Sequence, residues 1–277
     1  MVTLVHDLRQ QAEELDLAYE IRVYDDGSEP AVRADQQPLH QLPDVVYREL
    51  KANHGRARIR NRLAREARYE HLLFMDGDSG VVRPDFLLQY TEFLHRNVVV
   101  CGGRTYSSQL PQNRDLHLHW TYGRKREVRS AELRRRDPWH GFQTNNFMAS
   151  KSILNRIPFD ETILQYGHED TLFGQQLREA RVPVLHIDNP LEHRQLEPVA
   201  VFLMKTARAV ENLNQLRREH PQLHTRLTRL AEPLRAVSAH YLLRPTLQKT
   251  LPRLERYFHR GGTSLWLLDL YKLAHYI

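Results

Sequence analysis

HLLFMDGD, residues 71–78, joins a short apolar run to two carboxylates separated by one glycine. The run predicts a buried strand, and Asp76 and Asp78 follow where that strand ends. Because alternate residues of an extended chain point to the same side, both carboxylates can face one ligand. Hard oxygen ligands of this kind favour Mg²⁺ or Mn²⁺. Asp-x-Asp is also common in solvated turns, so the triplet alone does not establish a metal site.

A second acidic strand end lies upstream, where the alternating residues 19–24 (YEIRVY) stop at Asp25 and Asp26. Further strands are predicted at residues 45–47, 72–75, 98–101, 142–149 and 184–187, and helices at 56–67, 84–94, from about 150, and 171–179. Strands that alternate with helices predict an α/β fold with a mostly parallel sheet, which binds ligands at the carboxyl ends of its strands. Both acidic clusters fall at such ends.

The composition favours one compact domain with an appendage, because 277 residues with 41% hydrophobic and 27% charged side chains can bury a sizeable core. The N-terminus lacks the apolar core of a signal peptide, and no run approaches the roughly 18 apolar residues of a spanning helix. These features predict a cytoplasmic protein. The single cysteine, Cys101, excludes an intrachain disulfide and is predicted to be a buried structural thiol rather than a reactive one.

The positive charge of the chain lies in its last part. Residues 197–277 contain 13 Lys/Arg against 6 Asp/Glu, whereas the whole chain carries a net charge of +6. This tail is predicted to form several short helices, punctuated by prolines. Its apolar segment 265–271 (LWLLDLY) can enter a membrane interface or pack on the preceding domain, and packing is favoured. Nucleic-acid binding is not expected, because no recognised module or basic–aromatic repeat is present.

Four segments carry a family likeness: VYDDGS (23–28), NHGRARIRN (53–61), LLFMDGDS (72–79) and GHEDTLFGQQL (167–177). Together they resemble the nucleotide-sugar-dependent glycosyltransferases of family 2, which have the GT-A fold. FQTNNFMASKSIL (142–154) and HIDNPLEH (186–193) resemble the small bacterial members with a helical C-terminal tail. The likeness covers roughly residues 4–196. It implies a GT-A domain at 1–196, a Rossmann-like sheet flanked by helices, and a basic helical extension at 197–277.

The resemblance implies a nucleotide site at the first strand end and the following helix. Asp25 would contact uracil or another base, and Asp26 would shape the same loop or serve as an ordinary turn carboxylate. Arg60 would lie near the base and phosphates, where a guanidinium suits a diphosphate. Three other arginines of that helix are predicted to lie on a solvated face: Arg56, Arg58 and Arg62.

The metal site implied by the resemblance contains Mn²⁺ or Mg²⁺. Asp76 would approach the ribose and the metal, and Asp78 would bind the metal directly. His193 resembles the later histidine that completes the site in many GT-A enzymes. A structural role for His193 remains the alternative, since the chain contains 16 histidines.

The pair Glu169-Asp170 resembles the family's catalytic pair, in which the Asp is the base for the acceptor hydroxyl. The competing interpretation makes Asp170 a cap of the helix 171–179, where the helix dipole would lower its pKa. Asn145 and Asn146 are predicted to contact the donor sugar or acceptor, or to satisfy buried backbone groups. The polar stretch 111–140, rich in arginine, matches a mobile acceptor loop and is otherwise solvated surface.

One departure from the family concerns the N-terminus. Family members begin with a strand and a loop before the first helix, whereas here residues 2–15 (VTLVHDLRQQAEEL) already keep a helical stripe. In the resembling fold that strand lies mid-sheet, so its absence would leave neighbouring strands unpaired and open part of the nucleotide site. A mis-called or truncated start is favoured over an impaired protein.

The function predicted from the sequence is an inverting, metal-dependent glycosyltransferase of hexosyl or N-acetylhexosaminyl type. It would move a sugar from a nucleotide donor, preferably a UDP-sugar, to a cell-surface glycan or a lipid-linked acceptor. Two alternatives stay open. One is a catalytically impaired relative that binds glycans, and the other is a protein whose basic tail attaches it to membranes or polyanions.

Overall fold

The computed structural model describes residues 1–163, 165, 167–236 and 239–277. In chain order its helices are α1 (Val2–Glu14), α2 (Pro30–Gln36), α3 (Arg56–Glu66), α4 (Leu88–Thr91), α5 (His117–Tyr122), α6 (Ala131–Arg135), α7 (Lys151–Arg156), α8 (Glu169–Glu179), α9 (Val199–Glu219), α10 (Arg226–Ala236), α11 (Ala239–His259) and α12 (Leu265–Tyr276). Its strands are β1 (Ile21–Asp25), β2 (Val45–Glu49), β3 (His71–Met75), β4 (Ser79–Gly80), β5 (Val99–Cys101), β6 (Arg104–Thr105), β7 (Asn146–Ser150), β8 (Val184–His186) and β9 (Leu191–His193).

The chain divides into two compact units. Unit 1 comprises Met1–Thr105, Val128–Leu164 and Glu169–Gln195, and unit 2 comprises Tyr106–Glu127, Gln165–His168 and Leu196–Ile277. The boundary predicted at residues 196 and 197 lies where the last segment of unit 2 begins. Unit 2 also takes in two earlier segments that the sequence analysis assigned to the first domain.

The sheets of unit 1 are mixed. Strands β3, β7, β5 and β8 form one sheet in that order, β1 pairs with β2 in parallel, and β4, β9 and β6 form a third, small sheet. Strand β7 is antiparallel to both β3 and β5, whereas β5 and β8 are parallel. Strands β3, β5 and β8 therefore share one direction, and β7 interrupts the mostly parallel pattern that the sequence predicted.

The core of unit 1 is built around the β3–β7 sheet, whose central strands are apolar on both faces. Phe74 of β3 stacks on Phe147 of β7 with ring centroids 5.0 Å apart. Phe159 stacks on Phe173 of α8 at 4.1 Å, which fastens the first turns of α8 to the same core. Cys101 is buried as predicted, and burial raises the pKa of its thiol to about 12.

One predicted helix is shorter than expected. Within the segment 84–94 only α4, Leu88–Thr91, is α-helical. The rest is wound in tighter turns, in which amides bond to carbonyls three residues back, as Tyr90 does to Leu87 and Phe93 to Tyr90 (3.0 Å each). Phe86 and Tyr90 are nevertheless buried, so the apolar pattern that suggested a helix still faces the core.

Unit 2 is helical, which confirms the predicted helical tail for its described part; residues 237 and 238 lie outside the described residues. The helices are not all short, as predicted from the prolines: α9 and α11 have 21 residues each, and Pro245 and Pro252 lie inside α11. Leu118 of α5 packs with Phe202 of α9, Phe258 of α11 and Leu268 of α12. Segment 265–271 is predicted to pack on the preceding domain, whereas the packing observed lies within unit 2, against α5, α9 and α11. Trp266 of this segment is 70% exposed. None of the helices in the described part of the chain is long and apolar enough to cross a membrane.

Arg134 of α6 is a buried residue, contrary to its predicted place in a solvated or mobile basic loop. Its side chain is almost fully enclosed and donates to the carbonyl oxygens of Cys101 (3.0 Å), Gly102 (3.1 Å) and Ile187 (2.8 Å). Burial lowers the pKa of the guanidinium, although carbonyl partners keep it satisfied. These bonds fix the chain that leads from β5 into Arg104.

We expect Arg134→Met to reduce the free energy of unfolding by about 3 kcal/mol, because the buried carbonyl oxygens of Cys101, Gly102 and Ile187 each lose a hydrogen bond from the guanidinium. Urea unfolding measures the loss. The matched control is Arg136→Met, since Arg136 is exposed and pairs only with Glu132 at 3.2 Å. That control should change stability by less than about 0.5 kcal/mol. Equal losses in the two variants would contradict the structural role of Arg134.

Candidate active site

The carboxylates at the end of β1 organise the loop that precedes α3. Asp26 accepts hydrogen bonds from the backbone amides of His54 (2.8 Å) and Gly55 (2.9 Å), immediately before the helix begins. Asp25 is buried and accepts from the amide of Ser28 at 2.7 Å. Asp26 therefore shapes the loop and supplies negative charge at the N-terminus of α3, where the helix dipole favours it.

An arginine–carboxylate network joins the end of β3 to the start of α8. Arg60 donates to Asp76 Oδ1 (3.2 Å) and to Glu169 Oε1 (3.3 Å), and so bridges the two acids. Arg104 donates to the other oxygen of Asp76 at 3.2 Å. Arg56 lies 3.6 Å from Glu169. Each carboxylate in the network thus faces two guanidinium groups.

Arg60 is held in place by packing as well as by charge. Its guanidinium lies over the ring of Phe159, 5.6 Å from the centroid. The neighbouring Asn61 binds the backbone of Phe159 twice, donating to its carbonyl oxygen (2.8 Å) and accepting from its amide (2.9 Å). The contact between Asn61 and Phe159 could not be predicted from the sequence, because the two residues lie 98 positions apart and no local pattern indicates that they meet.

Arg104 and Arg56 are functional candidates that the sequence analysis did not select. Arg104 follows Gly102-Gly103 at a strand end, which is the signal that could have identified it. Arg56 was predicted to be solvated, and its side chain is indeed 50% exposed, but its guanidinium approaches Glu169. Arg58 lies on the solvated face as predicted, with its side chain 49% exposed.

Asp78 and His193 meet through the small third sheet. Strand β4 pairs with β9 so that Ser79 lies opposite His193, which brings His193 Nδ1 to 3.5 Å from Asp78 Oδ1. Asp78 Oδ1 is buried without a hydrogen-bond partner. Burial acts to raise the pKa of Asp78, but the neighbouring His193, together with Arg104 and Arg56, outweighs burial and holds the pKa below its ordinary value.

This pair fits two ligands of a divalent cation, an ionised carboxylate and an imidazole. Asp76 does not complete a protein triad with them, because both of its oxygens are engaged by arginines. Across the residues that the structure describes, no group of three His, Cys, Asp or Glu side chains is arranged to hold a metal ion.

Glu169 and Asp170 occupy the first turn of α8 and have opposite pKa shifts. Burial acts to raise the pKa of Glu169, but the charges of Arg60 and Arg56 outweigh it and lower the pKa. Burial and the adjacent Glu169 raise the pKa of Asp170 to about 6, although Asp170 accepts a hydrogen bond from the Thr171 amide at 2.7 Å. Burial thus overrides the helix dipole, and one acid is ionised while its neighbour is poised to exchange a proton.

The two asparagines at the start of β7 have different surroundings. Asn146 is fully buried, accepts from the Tyr90 hydroxyl (2.6 Å) and donates to the carbonyl oxygens of Gly103 (3.0 Å) and Asn189 (2.8 Å). Asn146 thus fits the alternative interpretation, in which it satisfies buried backbone groups. Asn145 Oδ1 is buried without a hydrogen-bond partner, so this acceptor is available beside the Asp76 backbone, whose amide binds the Asn145 carbonyl (3.3 Å).

The structure therefore places the predicted residues in connected groups. Arg60, Asp76 and Glu169 share one network, Asp78 and His193 form a pair, and Asp26 binds the N-terminal end of the helix that carries Arg60. All of these residues belong to unit 1. The arrangement combines clustered cations, a candidate cation site and a carboxylic acid with a raised pKa.

Comparisons with known proteins agree on the fold. The sequence model of glycosyl transferase family 2 matches residues 2–157. No curated protein matches the chain. The mannosyltransferase PcManGT from Pyrobaculum calidifontis, solved with GDP-Man and Mn²⁺, is similar with a TM-score of 0.54 and 15% identity, covering 99% of this chain and 81% of that one. Residues 1–349 of TarS from S. aureus are similar with a TM-score of 0.50 and 16% identity, covering 99% of this chain and 86% of that one. At these identities the structures show a shared GT-A fold alone.

We expect Arg60→Met to lower the free energy of unfolding by about 3–5 kcal/mol at neutral pH, because it leaves Glu169 buried with one weaker partner. Since the pKa of folded Glu169 lies below its ordinary value of 4.5, the ion pair stabilises the fold above that pH and is lost as pH falls through the folded-state value. The difference in the free energy of unfolding between the unmodified chain and Arg60→Met should therefore become smaller at acid pH. Urea unfolding at several pH values tests this.

The control for this measurement is Arg58→Met on the same helix, whose guanidinium lies 3.8 Å from the exposed Glu161. A surface pair of this kind contributes less than about 1 kcal/mol. A deficit of Arg60→Met that stays constant between neutral and acid pH would contradict the bridging role.

Proposed function

This chain belongs to glycosyl transferase family 2, and we propose that it transfers a sugar from a nucleotide-sugar donor to the hydroxyl of a glycan or glycolipid acceptor, with inversion. The observation that carries the proposal is the pair at the start of α8. Arg60 ties Glu169 to Asp76 at the end of β3 and so places the adjacent Asp170 beside the network. There burial and Glu169 raise the pKa of Asp170, while Arg60 and Arg56 lower that of Glu169. A base for an alcohol is most effective when its pKa lies near the working pH.

In this mechanism Asp170 accepts the proton of the acceptor hydroxyl. The acceptor oxygen forms a bond to the anomeric carbon as the bond from that carbon to the diphosphate breaks, and the electron pair leaves with the nucleoside diphosphate. Attack from the opposite face inverts the anomeric centre. Glu169 does not exchange protons in this scheme, because its lowered pKa keeps it ionised and it orients Arg60.

The donor diphosphate would be bound by the two arginines that contact Asp76 at the end of β3. Arg60 and Arg104 donate hydrogen bonds to Asp76 in this structure. Their guanidinium groups could also donate to the oxygens of a bound diphosphate. Asp78 and His193 would hold Mn²⁺ or Mg²⁺, and the cation supplies charge neutralisation for the leaving diphosphate. Two protein ligands suffice for such a site, since Mg²⁺ commonly retains water and binds substrate phosphates.

The donor is proposed to be a UDP-sugar that is recognised at Asp25, with GDP as the rival to be tested. The likeness to a mannosyltransferase solved with GDP-Man and Mn²⁺ supports a nucleotide donor with a divalent cation. Asn145, with its buried unpartnered oxygen, is the asparagine we assign to sugar binding.

The acceptor is proposed to be a cell-surface glycan or a lipid-linked sugar. Basic residues of segment 111–140 would favour an anionic acceptor, with Arg134 excluded because it is buried. The tail has a net charge of +7 and exposes Trp266, which is compatible with peripheral membrane contact. Equal transfer to charged and neutral acceptors would contradict the anionic preference.

We expect Asp78→Ala to weaken metal-dependent nucleotide binding by at least about tenfold, because the cation loses a carboxylate ligand. Isothermal titration with UDP and with GDP, in Mn²⁺ and then in chelator, measures the effect. The control is Asp85→Ala, since Asp85 pairs with Arg83 at the surface at 2.7 Å and should leave binding unchanged. Tight binding that survives both chelation and Asp78→Ala would exclude the proposed metal site.

We expect Asp170→Asn to reduce kcat by about 10²–10⁴-fold while nucleotide binding is retained, because the amide cannot accept the acceptor's proton. In the unmodified chain the rate should fall as pH drops below about 6, where Asp170 becomes protonated. Donor hydrolysis and transfer assays across pH measure both effects.

A non-catalytic glycan-binding or membrane-binding relative is the alternative from the sequence. The glycan-binding relative predicts a folded chain that fails to bind nucleotide with metal and shows no transfer, with or without Asp170→Asn. The membrane-binding relative predicts that binding is lost when residues 197–277 are removed. A transfer rate that is independent of pH across the range around 6 would remove Asp170 from the mechanism.

A further inference from the structure

The two residues that precede α8 have an unusual backbone conformation. Gly167 has a φ of 96° and His168 a φ of 68°, so the chain enters the helix through two consecutive residues with positive φ. Glycine adopts such angles freely, whereas they are uncommon for a residue with a side chain. The residue before a helix is normally extended. This pair, the entry turn, therefore requires contacts from its surroundings to hold it.

The place of His168 in the chain distinguishes it from similar residues. Four non-glycine residues of the described chain have a positive φ: Asp16, Asp44, His168 and Arg181. Asp16 and Arg181 lie two residues after the ends of α1 and α8, where a left-handed residue commonly follows a helix. Asp44 lies in a turn before β2. His168 instead stands where a helix begins, so its conformation is not explained by an ordinary helix end.

The helix α9 supplies a contact that holds the entry turn. Asn212 Nδ2 donates to the carbonyl oxygen of Gly167 at 2.6 Å. Asn212 is 3% exposed, and its neighbours Val210 and Leu213 along the helix are buried and apolar. A buried amide is costly unless it is hydrogen-bonded. The specific contribution of Asn212 is thus a donor directed at one backbone carbonyl.

The same helix also restricts which residue can occupy position 167. A Cβ at Gly167 would lie 2.9 Å from the Cβ of Ala209 and 3.4 Å from its Cα, closer than non-bonded carbons normally approach. Ala209 and Asn212 are three residues apart and so lie on one face of α9. That face binds the entry turn and leaves no room for a side chain there. Both partners of these contacts belong to unit 2.

The first turn of α8 follows directly in the chain. Glu169 is bound through its side chain by Arg60 at 3.3 Å. Asp170 accepts from the amide of Thr171 at 2.7 Å and from its hydroxyl at 3.2 Å. The carboxylate of Asp170 is therefore oriented by the backbone of this first turn, and the direction of that backbone is set where the chain leaves the entry turn.

We propose that Asn212 and Ala209 are positioning residues for the transfer reaction, because one face of α9 holds the entry turn and so sets the direction in which Asp170 meets the acceptor hydroxyl. The inference rests on the proposed function, in which Asp170 is the base. Proton transfer requires the two oxygens to lie within hydrogen-bond reach, and a displacement of about 1 Å can cost about 10²-fold in rate. The C-terminal helical extension thus takes part in the chemistry through α9.

A purely structural role of Asn212 is the competing explanation. Asn212 would then only stabilise the fold, and its removal would lower the free energy of unfolding without changing the turnover of the molecules that remain folded. The two explanations differ in kcat per nucleotide-binding site and in the hydrogen exchange of the first turn of α8.

The test compares Asn212→Leu with Asn214→Leu in the full chain. Both variants remove an amide of α9 that donates to a backbone carbonyl, because Asn214 donates to the carbonyl oxygen of Tyr276 at 3.1 Å. Gly167→Ala is a second variant, which disturbs the entry turn while Asn212 is kept. Urea unfolding shows whether each variant is folded.

Three measurements are made on the folded variants. Isothermal titration with UDP and with GDP in Mn²⁺ gives the affinity and the number of binding sites. Release of nucleoside diphosphate from UDP-glucose, UDP-N-acetylglucosamine and GDP-mannose gives kcat per site. Hydrogen exchange is followed at the amides of Leu172 and Phe173, whose acceptors in a helix are the carbonyl oxygens of His168 and Glu169.

We expect Asn212→Leu and Gly167→Ala to lower kcat by about 10–100-fold and to speed exchange at these two amides by about tenfold or more. Nucleotide affinity should stay within about twofold, because Arg60 keeps its bond to Asp76. Asn214→Leu should change neither kcat nor the exchange of these amides.

Unchanged exchange in Asn212→Leu would overturn the proposal that α9 holds the entry turn. Faster exchange with a normal kcat would overturn the positioning role and leave the proposed function intact. A normal rate in Asp170→Asn would instead show that the proposed base is wrong, and with it the catalytic part of the inference, whereas the exchange rates would still decide whether α9 holds the turn.

Discussion

The ion bridge from Arg60 to Asp76 and Glu169 is the interaction on which the site of unit 1 depends. It ties the end of β3, the helix α3 and the start of α8 to one buried guanidinium. A charge at this depth is costly unless it is paired and packed, and Arg60 has both carboxylates and the ring of Phe159. The site is thus assembled by the same contacts that neutralise its charges.

The same neighbourhood gives chemically similar carboxylates different properties. Glu169 faces arginines and has a lowered pKa, whereas Asp170, one residue later, is governed by burial and by Glu169 and has a raised pKa. The pKa of Asp78 is lowered although it is buried, because His193 outweighs desolvation. In the proposed mechanism these three carboxyl groups would serve orientation, proton transfer and cation binding, and their different surroundings give them the different pKa directions that those roles need.

The local features of the site could be predicted from the sequence, and the long-range ones could not. Strand β3 with its acidic end, and the extent of helix α3, are encoded by neighbouring residues. The reversed direction of β7 depends on pairing with distant strands. The burial of Arg134 could not be predicted, because a cluster of arginines normally indicates a solvent-exposed segment. Its side chain is buried because it donates hydrogen bonds to three backbone carbonyl oxygens from distant parts of the chain.

The discontinuous make-up of unit 2 affects how the protein is made. Leu118 belongs to an early segment, yet its packing partners Phe258 and Leu268 lie near the C-terminus. At typical synthesis rates of about 5–20 residues per second, the ribosome needs on the order of 10–30 s to supply them. During that interval the apolar face of α5 can pack against Phe202 of α9 but lacks its contacts with α11 and α12, so the core of unit 2 is completed only when the end of the chain has been made.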